Sequence, residues 1–156
     1  MCRGIESEKQ EIRKGCREMR DRELPDKELT DAIINAAITV HKTLGPGFLE
    51  TIYEEALCIE LTARNIPFER QKTVAIPYRD QIIGEHRLDL LVAGHVVVEL
   101  KATKDLAPVF FAVVRSYLKA VDCHSGLLLN FAAMPLVIKR IGREYYGVEY
   151  EPERLT

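Results

Sequence analysis

Three charged side chains stand in the most apolar part of this chain, at a spacing suited to hydrolytic chemistry. Val96-Val97-Val98-Glu99-Leu100-Lys101 reads as a strand. Alternation puts Glu99 and Lys101 on one face, with Val98 and Leu100 on the other. Just upstream, across a tight Ala93-Gly94 turn, Arg87-Leu88-Asp89-Leu90-Leu91-Val92 carries a lone acid on a second strand. Runs this apolar are commonly buried on both faces, where an unpaired charge is costly. A divalent cation held by Asp89 and Glu99, with Lys101 beside it, would offset that cost and also perform chemistry. Mg2+ takes one or two carboxylates together with water and phosphate. It lowers the pKa of water and neutralises charge on a reacting phosphodiester, while a nearby lysine orients water and stabilises developing negative charge. The same residues also fit a plain ion pair, with Asp89 paired to Arg87 or Lys101.

The elements that must position these groups follow from periodicity. From about Thr30, a candidate N-cap, Ile33, Ile34, Ala37, Ile38 and His41 recur at helical spacing until Gly45-Pro46-Gly47 stops the pattern. A second helix is expected from about Phe48 to Arg64, burying Leu49, Tyr53, Ala56, Leu57 and Leu61, and Asn65-Ile66-Pro67 closes it. Three strands come next: Thr73 to Tyr78, Ile82 to Val92 and His95 to Lys101, the last two joined by the Ala93-Gly94 hairpin. Pro77 points to an exposed edge on the first strand, or to its ending there. The stripe Leu106, Val109, Phe110, Val113, Val114, Tyr117, Leu118 and Val121 marks a long helix, with Asp105 as candidate N-cap and Pro108 in its first turn. Strands from Gly126 to Phe131 and from Leu136 to Ile141 end the pattern, an α/β sandwich around a mixed sheet.

At 156 residues the chain fits one domain with a sizeable core. A charged extension, 1–26, holding seven Lys/Arg and seven Asp/Glu, precedes the domain at 27–145, and a polar tail follows at 146–156. The net charge of −2 argues against a strongly basic nucleic-acid coat, though not against a local phosphate groove. Four cysteines show neither CxxC pairing nor zinc-finger spacing, so reduced thiols in a cytoplasmic protein are expected. No stretch is apolar enough to span a bilayer. Arg70, Lys72, Arg115, Lys119, Lys139 and Arg140 fit either the rim of a phosphate groove or solvated faces. The four histidines share no ligand spacing.

Asp89, a nine-residue spacer and Glu99-Leu100-Lys101 resemble the core motif of the PD-(D/E)XK nuclease superfamily. Gly47-Phe48-Leu49-Glu50-Thr51-Ile52-Tyr53 is similar to the motif that names the GxxExxY family within it. Tyr53-Glu54-Glu55-Ala56-Leu57, Ser116-Tyr117-Leu118-Lys119 and Leu129-Asn130-Phe131 extend the likeness across roughly residues 28–143.

The resemblance implies a restriction-endonuclease-like α-β-β-β-α-β core, a mixed sheet flanked by helices. It implies Asp89 and Glu99 as ligands of Mg2+ (or Mn2+), Lys101 as the catalytic lysine, and Glu50 as an acid facing the metal from the first helical layer. The implied activity is cleavage of nucleic-acid phosphodiesters; a non-catalytic module of the same fold, binding protein or nucleic acid, is the rival. Glu50 by itself also reads as an early-turn acid favoured by the helix dipole. The likeness departs at Val113, where relatives often carry glutamine. An exposed edge strand or the long helix leaves a homodimer open.

Overall fold

The computed structural model describes residues 26–143. The charged extension, apart from Asp26, and the polar tail lie outside the described residues. Helix α1 spans Lys27–Leu44 and α2 spans Glu50–Ala63. Small residues let the two pack closely: Ala36 and Ala37 of α1 are buried with Ile33 and Val40, against Tyr53, Leu57 and Leu61 of α2. Thr30 is not a cap. It lies one turn inside α1, its hydroxyl donating back to Lys27 O at 3.0 Å, and Asp26 holds the N-cap position. The second helix starts at Glu50 rather than Phe48, because Gly45 and Gly47 hold left-handed φ values of +70° and +110° and keep the chain non-helical up to Leu49.

The sheet contains β1 (Phe68–Tyr78), β2 (Gln81–Val92), β3 (Val96–Lys101), β4 (Ser125–Asn130) and β5 (Val137–Gly142), in that spatial order. All neighbours are antiparallel except β3 and β4, which run parallel and are joined through α3 (Pro108–Val121). Strand β1 begins five residues before the expected Thr73. The added segment, Phe68-Glu69-Arg70-Gln71-Lys72, is polar because it runs along the sheet edge and needs no second apolar face. Helix α3 starts from Ala107 with Pro108 in its first turn and without a side-chain cap. Asp105 instead offers its backbone carbonyl to the Thr103 hydroxyl.

Two cores flank the sheet. One joins α1 and α2 to Leu90, Val92, Val98, Leu100, Leu127 and Leu129. The other joins Val114 and Leu118 of α3 to Leu88, Leu91, Val97 and Leu128. Strand β4 is buried over its whole length. Gly126 allows α3 to approach it: a Cβ there would meet Val114 Cγ1 at 2.8 Å. Among the described residues no helix is long and apolar enough to cross a membrane, and Cys58 and Cys123 are buried free thiols.

Candidate active site

The charged residues meet at a fork in the sheet. Strands β1 and β2 pair over ten rungs, yet β2 and β3 pair over only three, ending at Leu90 and Val98. The next rung would set Asp89 opposite Glu99. There the strands part, and the Leu100 N–H donates to Asp89 Oδ2 at 2.9 Å in place of a backbone carbonyl. The acid therefore takes over a ladder hydrogen bond and holds the fork open.

Glu99 is 7% exposed. Its Oε1 accepts from Lys101 Nζ at 3.0 Å, while its Oε2 is buried without a donor. Burial, then the neighbouring Asp89 charge, lifts the Glu99 carboxyl to about 7, against the pull of Lys101. Burial likewise raises Asp89; the Leu100 N–H opposes this and the Glu54 charge adds to it. For Lys101, burial acts to lower the pKa, but the Glu99 hydrogen bond and the charges of Glu99, Glu50 and Asp89 outweigh it and hold the group above its ordinary value. Lys101 is thus a cation at neutral pH, without the free lone pair that a base would need. Its ammonium also lies 4.7 Å from the centre of the Phe110 ring in the first turn of α3.

Glu50 reaches the same end of β3 from the other helical layer, accepting from the Ala102 N–H at 3.3 Å. The loop that precedes it is tied by Tyr53, whose hydroxyl donates to Gly45 O at 2.5 Å and accepts from Phe48 N–H at 3.2 Å. Tyr53 is fully buried and stacks on Phe131 at 4.5 Å. The glycine, acid and tyrosine of that motif are therefore one device: a left-handed turn, a buried strut, and a carboxylate set at a helix start. Beyond Lys101, Asn130 clamps the chain, accepting from Thr103 N–H at 3.2 Å and donating to Thr103 O at 2.8 Å.

The four residues expected from the sequence are thus gathered around the end of β3, three at the fork and Glu50 beside it. Two further residues join them. Glu54, one turn after Glu50, is buried and accepts from Arg70 Nε at 2.7 Å and from Gln71 Nε2 at 2.9 Å. Its spacing from Glu50 places both on one helix face, a signal legible in the sequence. Tyr117 of α3 is the other: burial, then the charges of Glu99 and Asp89, raise its hydroxyl. His86 packs edge-on against its ring at 4.8 Å.

Several basic residues considered for a phosphate groove are engaged within the fold. Arg70 bridges Glu54 and Glu55, Lys72 pairs with Glu69, and Arg140 joins Asp31 and Thr30. Among the described residues, no three His, Cys, Asp or Glu side chains form a ready-made metal cluster. The donor set at the fork does fit a hard divalent cation: two oxygen-bearing acids, with a buried Glu99 oxygen lacking any donor.

The sequence model of the PD-(D/E)XK nuclease superfamily matches residues 27–141. The search of curated proteins gave no match. Among solved structures, the crystal structure of SSO0001 aligns with a TM-score of 0.49 and 16% identity, over 61% of this chain. The alignment spans half the length of that chain. With a superfamily match running from α1 into β5, over an α/β fold whose acids and lysine converge at one strand end, the chain belongs to the PD-(D/E)XK nuclease superfamily.

Proposed function

We propose that this chain is a nuclease of the GxxExxY type, dependent on Mg2+ or Mn2+ and acting on nucleic-acid phosphodiester bonds. Asp89 and Glu99 hold the metal, and Glu50 supports its water shell. Lys101 orients the attacking water and stabilises charge that develops on the phosphate. The cation, when bound, supplies positive charge against the phosphodiester and eases deprotonation of water. The observation that carries this reading is the orphaned oxygen of the buried Glu99 beside a second, half-buried acid, Asp89. Two acids sharing a pocket retain a proton or take up a cation; the second outcome lets both be ionised at neutral pH. The buried free thiols Cys58 and Cys123 accord with a reducing, cytoplasmic setting.

A comparison of wild type with Asp89→Ala on single-stranded DNA, duplex DNA and RNA, with Mg2+ or Mn2+, tests the proposal. Metal-dependent cleavage is expected for wild type and loss of it for the variant. Activity that survives the substitution would point to a contaminant. Calorimetric metal binding without cleavage of any substrate would favour the non-catalytic module, a reading that Val113, apolar where relatives often place glutamine, supports.

A further inference from the structure

A break in strand alternation faces the fork from the sheet edge. Arg70 and Gln71 are consecutive, so in a regular strand their side chains would point to opposite faces. Both instead reach the Glu54 carboxylate, Arg70 at 2.7 Å and Gln71 at 2.9 Å to each oxygen. This is possible because Gln71 adopts a left-handed φ of +52° in mid-strand. For a residue with a Cβ, that conformation is strained.

The disturbance crosses to the neighbouring strand. The β1–β2 register runs from Arg70/Leu90 to Lys72/Leu88 and omits the Gln71/Asp89 rung. On β2, Leu88 and Leu91 both pack toward α3, whereas Leu90 and Val92 pack toward α1 and α2. Alternation is therefore lost on both strands at the rung that bears Asp89. Irregularities of this kind re-aim a side chain where regular pairing would misdirect it.

The gain from this local strain lies in what the Gln71 amide spans. Its Nε2 donates to the buried Glu54 and also stands 3.5 Å from Asp89 Oδ1. An amide nitrogen carries two hydrogens, so it can serve two carboxylates and adds no charge of its own. The remaining oxygen, Asp89 Oδ2, is taken by the Leu100 N–H. Resting on the metal-site reading above, we infer that Gln71 is a positioning residue, whose amide separates Glu54 from Asp89 and fixes the orientation of the Asp89 carboxylate. Glu54 and Arg70 form the anchor that holds the amide. Outer partners of this type commonly govern how well a ligand carboxylate serves its metal.

Two substitutions separate positioning from mere support. Gln71→Met keeps the bulk and the backbone strain but deletes the donors; Gln71→Gly deletes both donors and strain. Calorimetry with Mn2+ is expected to show about tenfold weaker binding for both variants, although the glycine variant melts about 3 °C above the methionine one. Affinity that follows melting temperature, with Gln71→Gly binding like wild type, would overturn the assignment. A metal-free arm stands beside it. Gln71→Met is expected to lower the melting temperature by about 3 °C in the wild-type background, and by roughly half that or less with Asp89→Asn, where one anion fewer faces the site. Equal drops in the two backgrounds would also overturn it. Unequal drops in a protein that takes up no Mn2+ would keep the positioning role and remove the metal reading.

Discussion

Lys101→Met should reduce single-turnover cleavage at saturating Mn2+ by about 10²–10³-fold while metal affinity stays the same or tightens. The two effects part because Lys101 and a cation compete for one partner. The ammonium occupies Glu99 Oε1 at 3.0 Å and is the positive charge that makes the acidic fork tolerable. Methionine keeps a flexible apolar stem against Phe110, so packing at the start of α3 is retained. With the ammonium gone, both Glu99 oxygens are available and the acids lose their internal counter-charge, which favours an added cation. Cleavage, by contrast, loses the group that stabilises charge away from the metal. Parallel calorimetry and cleavage assays check the split. A joint loss of binding and cleavage would mean that Lys101 supports the fork itself.

Glu99→Gln should make the metal-free protein more stable at pH 8, by about 2–3 kcal/mol, and abolish activity. The sign follows from proton linkage. The Glu99 carboxyl sits near 7 in the folded chain against 4.5 for its ordinary value. Between those values the folded state binds the extra proton, so stability falls as pH rises, and the full deficit is present above 7. Below about pH 4.5 the acid is protonated in both states and the deficit vanishes. The wild-type protein without metal is therefore expected to lose melting temperature between pH 5 and pH 8, a trend that Glu99→Gln flattens. Mg2+ should raise the wild-type melting temperature more at pH 8 than at pH 5.5, since at lower pH a proton competes for the same carboxylate. Thermal unfolding with and without metal reads all three quantities. A flat wild-type profile would mean that Glu99 ionises without cost.

Much of this arrangement was legible in the residues. The stripes in α1 and α3, the apolar runs of β2, β3 and β4, and the Ala93-Gly94 turn each obey a local rule, and the elements formed where those rules place them. Same-face placement of Glu99 and Lys101 follows from alternation alone, and the two side chains do pair. The first half of β1 was not legible, because an edge strand needs no second apolar face and its polar residues look like loop. The caps at Thr30 and Asp105 failed for a different reason: residue type fits a cap, but α1 extends a turn further back and α3 starts from a proline whose missing N–H needs none. Nothing local announces that Asp89 replaces a backbone acceptor or that Gln71 turns left-handed. Those features depend on two strands meeting at one rung.

The Asp89–Leu100 hydrogen bond has an evolutionary corollary. An apolar residue at 89 would leave a strand N–H unsatisfied beside the hydrophobic layer, so mutation there damages the scaffold as well as the proposed metal site. Neutralising position 99, in contrast, relieves the molecule. In lineages released from selection for cleavage, erosion should begin at the glutamate, and the aspartate should outlast the chemistry it once served.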